Sequence, residues 1–248
     1  MEASHPGWRI GEPLPRAFYR RPAPLVARDL IGRLLVRPLP GVTLVGRIVE
    51  AEAYQEDDPA SHSHRGLTAR TAVMFGPPGH LYVYFSYGNH WCMNVVTGRD
   101  GEGSAVLIRA AEPLEGIQWM RAARGRHAVR DLCSGPGKLT QAFGITKAQN
   151  GLDLVPGRDV YVASGTRVSN EGIGVGPRVG ISVATERPWR FFARDSPYVS
   201  RRATTPATAS PRAKVKARAK GRPKGSVSAT VRGEGLSAAR TSRARPPP

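Results

Sequence analysis

The chain of 248 residues contains only two cysteines, Cys92 and Cys133, so neither a disulfide framework nor a zinc set is implied. No run approaches the roughly twenty apolar residues that a membrane span requires. The opening Met1-Glu2-Ala3-Ser4-His5 lacks the basic start and apolar core of a secretory signal. The expected setting is a reducing cell interior without a membrane partner. His62 and His64 have no companion ligands at suitable spacing, and a P-loop, a dinucleotide fingerprint and an internal repeat are all missing. Acidic residues are also scarce, 19 against 37 Lys and Arg, which leaves a formal charge of +18 and points to polyanionic partners.

Most of that charge lies at one end. Residues 201–248 hold thirteen Lys and Arg and a single acid, Glu234, a net of +12 that leaves +6 for residues 1–200. This segment has no aromatic residue and little apolar periodicity, so it is expected to be a disordered basic tail. Within it, Lys220-Gly221-Arg222-Pro223 resembles an AT-hook core, which makes Lys220 and Arg222 candidates for contact with a DNA backbone. Residues 1–24 are rich in Pro and Arg and read as an irregular lead-in, with packing expected from Leu25.

Between these ends, hydrophobic periodicity predicts a helix over 25–31 ended by Gly32, a strand over 33–37 and a second over 46–54. A polar loop over 55–71 follows, then a hairpin over 80–96 and a strand over 104–113. Helices are predicted over 114–123 and 134–143, and strands over 159–163, 178–184 and 190–193. The fold class is therefore α+β, a single domain over 25–200 with a mostly antiparallel curved sheet, flanking helices and a protruding hairpin.

The chemistry concentrates between Gly46 and Arg109. Alternation on the strand sends Ile48, Glu50, Glu52 and Tyr54 to one face, so two acids and an aromatic share a surface that must open onto water, a cation or specific partners. In the hairpin, Tyr82 and Tyr84 alternate with Leu81, Val83 and Phe85. Asn94 interrupts the apolar return strand, where a buried amide needs partners. Tyr87 sits at the hairpin tip, where an aromatic gains little by folding and could act as a wedge between bases. Arg109 ends an apolar run, so Glu50 or Glu52 is its natural partner, with a water held between acid and Arg. Ser134 and Gly135 precede a Pro in a helical first turn, and that helix start beside Lys138 could hold a phosphate. These features suit a site for a flat, electron-poor ring.

Six segments carry a specific resemblance: Arg47-Ile48-Val49-Glu50-Ala51-Glu52-Ala53-Tyr54, Gly79-His80-Leu81-Tyr82-Val83-Tyr84, Tyr87-Gly88, Cys92-Met93-Asn94-Val95, the run from Leu107 to Gly116, and Leu132-Cys133-Ser134-Gly135-Pro136-Gly137-Lys138-Leu139. In this order they resemble the alkyladenine (3-methyladenine) DNA glycosylase family, from about Leu25 to Ser200. The resemblance implies a monofunctional base-excision enzyme, acting as a monomer on double-stranded DNA without metal or redox cofactor, cytoplasmic and nucleoid-associated in a bacterium or nuclear in a eukaryote. It flips a damaged purine out of the duplex and hydrolyses its N-glycosidic bond. By the same resemblance, Glu52 is the general base for the attacking water, Arg109 helps hold that water, and a backbone carbonyl near Val179 completes the water site. Tyr54, Tyr84 and His62 (with His64 as the alternative) wall the flipped base, Asn94 screens its edge, and Tyr87 fills the vacated stack. The residues alone also admit a DNA-binding protein without catalysis, or a glycoside hydrolase using Glu50 and Glu52 as a carboxylate pair.

Overall fold

The computed structural model describes residues 8–86 and 88–200. Tyr87, Lys220 and Arg222 lie outside the described residues, as do the expectations placed on the basic tail.

The spine of the fold is a strand of thirteen residues, β2 (Val42–Tyr54), long enough to serve different neighbours along its length. One edge pairs antiparallel with β5 (Ala105–Glu115). The other pairs with β1 (Leu34–Leu39) through its first half and with β8 (Arg190–Ala193) at Glu50, Ala51 and Glu52. On the far side of β5 lies the hairpin of β3 (Leu81–Ser86) and β4 (His90–Val96), while β6 (Tyr161–Ala163) extends the sheet beyond β1 and β7 (Ile173–Gly176) beyond β8. These pairings are all antiparallel, and the fork at β2 makes one curled sheet of eight strands.

Among the described residues there are four α-helices, α1 (Arg16–Tyr19), α2 (Ala23–Leu30), α3 (Ile117–Arg124) and α4 (Pro136–Ala142), of which α2 and α4 pack on the sheet. The helix α2 buries Ala23, Val26, Ala27 and Leu30, a stripe at helical spacing, against β2 and β5. Proline at its start costs nothing, because the first-turn N–H groups have no helical partner. The helix α4 packs on β4 and α3. At Gly137 a Cβ would stand 2.4 Å from the His90 ring, so glycine is what lets α4 begin against the turn end of the hairpin.

The structure departs from the sequence expectations in two places. Packing starts before Leu25, since Leu14, Tyr19 and Ala23 are buried. The Pro and Arg around them conceal these apolar positions, which are anchored by tertiary contacts instead of by periodicity. Residues 178–184 form a loop, not a strand, and the strand lies earlier, at β7. Gly172, Gly174 and Gly176 weaken the strand signal there. In the fold Gly174 has a use, because a Cβ would stand 2.3 Å from the Phe192 ring on β8.

Candidate active site

Period-two alternation carries Glu50 and Glu52 to one face of β2, and the β2–β5 register then sets what they meet. Pairing steps past Val49 on β2 and past Arg109 on β5, leaving Arg109 without a directly opposed residue. Such irregularities re-aim side chains. Arg109 Nε donates to Glu50 Oε1 and Nη1 to Glu52 Oε2, both at 3.2 Å. The predicted pairing thus involves both acids, Glu50 and Glu52.

The acidic face is not open to solvent, because Glu50 and Glu52 are both wholly buried. Glu50 is consumed by structure. Its Oε1 also accepts from Arg190 Nε at 2.7 Å, and its Oε2 accepts from the Ser200 main-chain N–H at 2.7 Å.

Glu52 has a different environment. Oε1 accepts from the Val179 N–H at 2.7 Å, and Oε2 accepts from the Tyr54 hydroxyl at 2.9 Å as well as from Arg109. A carboxylate offers about four acceptor positions, so these three donors leave one acceptor position of Glu52 unused. The Val179 carbonyl lies 3.4 Å from Arg109 Nη1, which brings all three expected elements of the water site together. Burial pushes the Glu52 carboxyl above its ordinary 4.5, and the opposing pull of Arg109, the Val179 N–H and Tyr54 does not fully offset it. A facing Arg109 would by itself hold this pKa low; complete desolvation reverses the sign. For Arg109, burial disfavours the charge, but the facing Glu52 and Glu50 more than compensate, raising its pKa.

Tyr54, Arg109 and Val179 also line a cavity of about 700 Å³, whose walls include Tyr84, His62 and Asn94. The His62 ring meets Tyr84 edge-on, with centroids 4.5 Å apart, and its Nδ1 lies 3.0 Å from the Tyr82 hydroxyl. Burial, aided by Arg70, lowers the His62 pKa to about 4, so the ring is neutral at pH 7. His64 is exposed, bonded to the Glu56 carbonyl and outside the cavity lining. Asn94 is buried, and its Nδ2 donates to the Tyr82 carbonyl at 3.1 Å. Lys138 is half-buried, with Nζ 3.3 Å from Ser134 Oγ, and lies outside the cavity lining, which Pro136 of α4 does join.

Four charged residues escape the sequence reading. Arg70 lines the cavity and stands 5.6 Å over the Tyr84 ring. Arg190 caps Glu50, while Arg178 and Asp58 form a fully buried pair beside Val179 and Tyr54. Arg190 and Arg178 were marked only as the first residues of expected strands, 190–193 and 178–184; nothing local in the sequence singles out Asp58.

Among the described residues, no group of three or more His, Cys, Asp or Glu is placed to hold a metal ion, and no helix is long and apolar enough to cross a membrane.

Residues 17–197 match a protein family described as methylpurine-DNA glycosylase. Three similar proteins bear the name "Putative 3-methyladenine DNA glycosylase". That of Carboxydothermus hydrogenoformans is 50% identical over 189 residues, covering 76% of this chain and 99% of the relative. That of Rhodopseudomonas palustris is 51% identical over 202 residues, 81% of this chain and 96% of the relative. The third, from Methanoculleus marisnigri, is 52% identical over 191 residues, 76% of this chain and 99% of the relative.

Proposed function

The chain belongs to the methylpurine-DNA glycosylase family, and from that premise we propose that it excises alkylated purines such as 3-methyladenine and 7-methylguanine from double-stranded DNA, with hypoxanthine and ethenoadenine as further candidate substrates. In this reading the target nucleotide is flipped into the cavity, Tyr87 fills the gap it leaves, and the enzyme acts as a monomer. Tyr54, Tyr84 and His62 stack on the base, and Asn94 screens its edge. Electron-rich rings suit a cationic base, for which cation–π attraction is worth about 0.5 to 2 kcal/mol.

Glu52 acts as the general base, while Arg109 and the Val179 carbonyl hold the water it activates. The water oxygen forms a bond to the sugar carbon as the N-glycosidic bond breaks, and that bond's electron pair leaves with the base. Glu52 takes the water proton. A base alkylated at N3 or N7 starts cationic and departs neutral, so it needs no added proton. The burial that raises the Glu52 pKa makes it a better proton acceptor once ionised. The single observation that carries the reading is the remaining acceptor capacity of Glu52, buried directly behind three donors that themselves line the cavity.

The glycoside-hydrolase alternative loses its second carboxylate, since Glu50 is bound by Arg109, Arg190 and Ser200. For contacts with the DNA backbone we propose Lys138 on the folded body and Lys220 and Arg222 in the tail, with 25–200 the catalytic body and 201–248 a separate polyanion-binding segment. The test is product analysis on a duplex carrying one 3-methyladenine. Free base and an abasic site in an unbroken strand are expected, whereas strand cleavage by the enzyme itself would contradict the monofunctional mechanism.

A further inference from the structure

Arg178 stands between the two loops that frame the cavity. Its side chain is fully buried, and its guanidinium is paired with the equally buried Asp58, through Nη1 and through Nη2 to Oδ1 at 2.9 Å. Nη1 also donates to the Ala53 carbonyl at 3.0 Å, and Nη2 to the Ala184 carbonyl at 3.3 Å. The guanidinium carbon lies 4.7 Å from the centroid of the Tyr54 ring. Tyr54 and Val179 line the cavity but Arg178 does not, so the cation stacks on Tyr54 from behind the wall.

One planar group therefore ties together the end of β2, the loop after it and both ends of the 178–184 loop. That loop includes Ala184, which holds a φ of 50°, a left-handed conformation costly for a residue with a Cβ. A strained residue of this kind persists only where its surroundings over-determine it, and the Arg178 bond to its carbonyl is one such constraint. Arg178 Nε has no hydrogen-bond partner among the described residues, so the group is held by its two Nη atoms and its face. The residue after Arg178 is Val179, whose N–H donates to Glu52 and whose carbonyl faces Arg109.

We propose that Arg178, braced by Asp58, is a positioning residue that sets the Val179 peptide against Glu52 and the Tyr54 ring against the base. The inference rests on the reading of Glu52 and Val179 as the water site. Arg178 touches neither water nor base in this arrangement. It acts through the main chain next to it and through the ring in front of it, and a small displacement of such groups costs about a hundredfold in rate.

The test follows Glu52 itself in the full-length chain, by carboxyl-carbon NMR titration of wild type, Arg178→Lys and the double variant Asp58→Asn with Arg178→Met. The lysine keeps the charge near Tyr54 and Glu52 but loses the two-pronged bracing. The double variant leaves no unpaired buried charge and so keeps the test open if the lysine fails to fold. Arg109, Glu50, Tyr54, Tyr84 and Arg190, the other charged or titratable groups facing Glu52, are unchanged in both. The expected result is an upward move of the Glu52 midpoint in both variants, as the Val179 N–H drifts from Oε1, with release of 3-methyladenine slowed about tenfold to a hundredfold. An unmoved midpoint in the folded variants overturns the proposal, even if release is slower. Absence of base release by wild type is a separate result that strikes the proposed activity, and the titration judges the positioning role without it.

Discussion

The Val179 main-chain N–H donates to Glu52 Oε1 at 2.7 Å across 127 residues of chain. With the Tyr54 hydroxyl and Arg109 on Oε2, this bond holds a buried carboxylate in one orientation beside the cavity. Burial of Glu52 outweighs all three donors, so the group stays protonated to higher pH than an exposed glutamate. Its base form is lost as pH falls through that raised midpoint. The acid limb of the single-turnover pH profile for 3-methyladenine release is therefore expected above the ordinary carboxylate value of 4.5. A limb at or below that value would contradict the balance described.

Tyr54→Phe keeps the stacking ring and removes one donor from Glu52 Oε2. The acid limb should move further up, and release at neutral pH should fall by about tenfold, the equivalent of one hydrogen bond to a charged group. Binding of lesion-containing duplex should change little. Single-turnover rates beside equilibrium binding separate the two effects, and a variant that kept both its rate and its acid limb would show that the hydroxyl bond to Glu52 is not used and leave Tyr54 to stacking alone.

Glu50→Gln leaves the buried guanidiniums of Arg109 and Arg190 without their shared carboxylate. Breaking a buried ion network by removing one partner costs about 3 to 5 kcal/mol. Denaturant unfolding of the variant should show a loss of this size, and a near-neutral change would mean that Glu50 is not the anchor its three donors suggest.

The alternation of Glu50, Glu52 and Tyr54, the Tyr82 and Tyr84 hairpin and the helix at Val26 were legible in the sequence because their periods are local. Arg109 was legible as an Arg needing an acid, but not in its reach to both acids, which depends on the register step past Val49. Arg178 and Asp58 were not legible. They lie 120 residues apart, and an Arg at the start of an expected strand gives no sign of its buried partner until tertiary structure brings the two together. Tyr19 was hidden in the same way, among Pro and Arg that say nothing of the core it enters. The sign of the Glu52 shift depends on depth of burial, which no local pattern reports.

Removal of residues 203–248 takes away most of the tail's thirteen basic residues. Counterion release from even six phosphate contacts makes affinity fall by roughly a thousandfold between low and moderate salt. The truncated chain should bind undamaged duplex more weakly and with a flatter salt dependence, while an unchanged slope would show the tail to be a bystander.

The central claim is that Glu52 activates the attacking water. Single-turnover release of 3-methyladenine from duplex DNA, with wild type and Glu52→Gln side by side, tests it most directly. The account predicts release by wild type and none by Glu52→Gln, with lesion-DNA binding nearly intact; release by Glu52→Gln at the wild-type rate would contradict it.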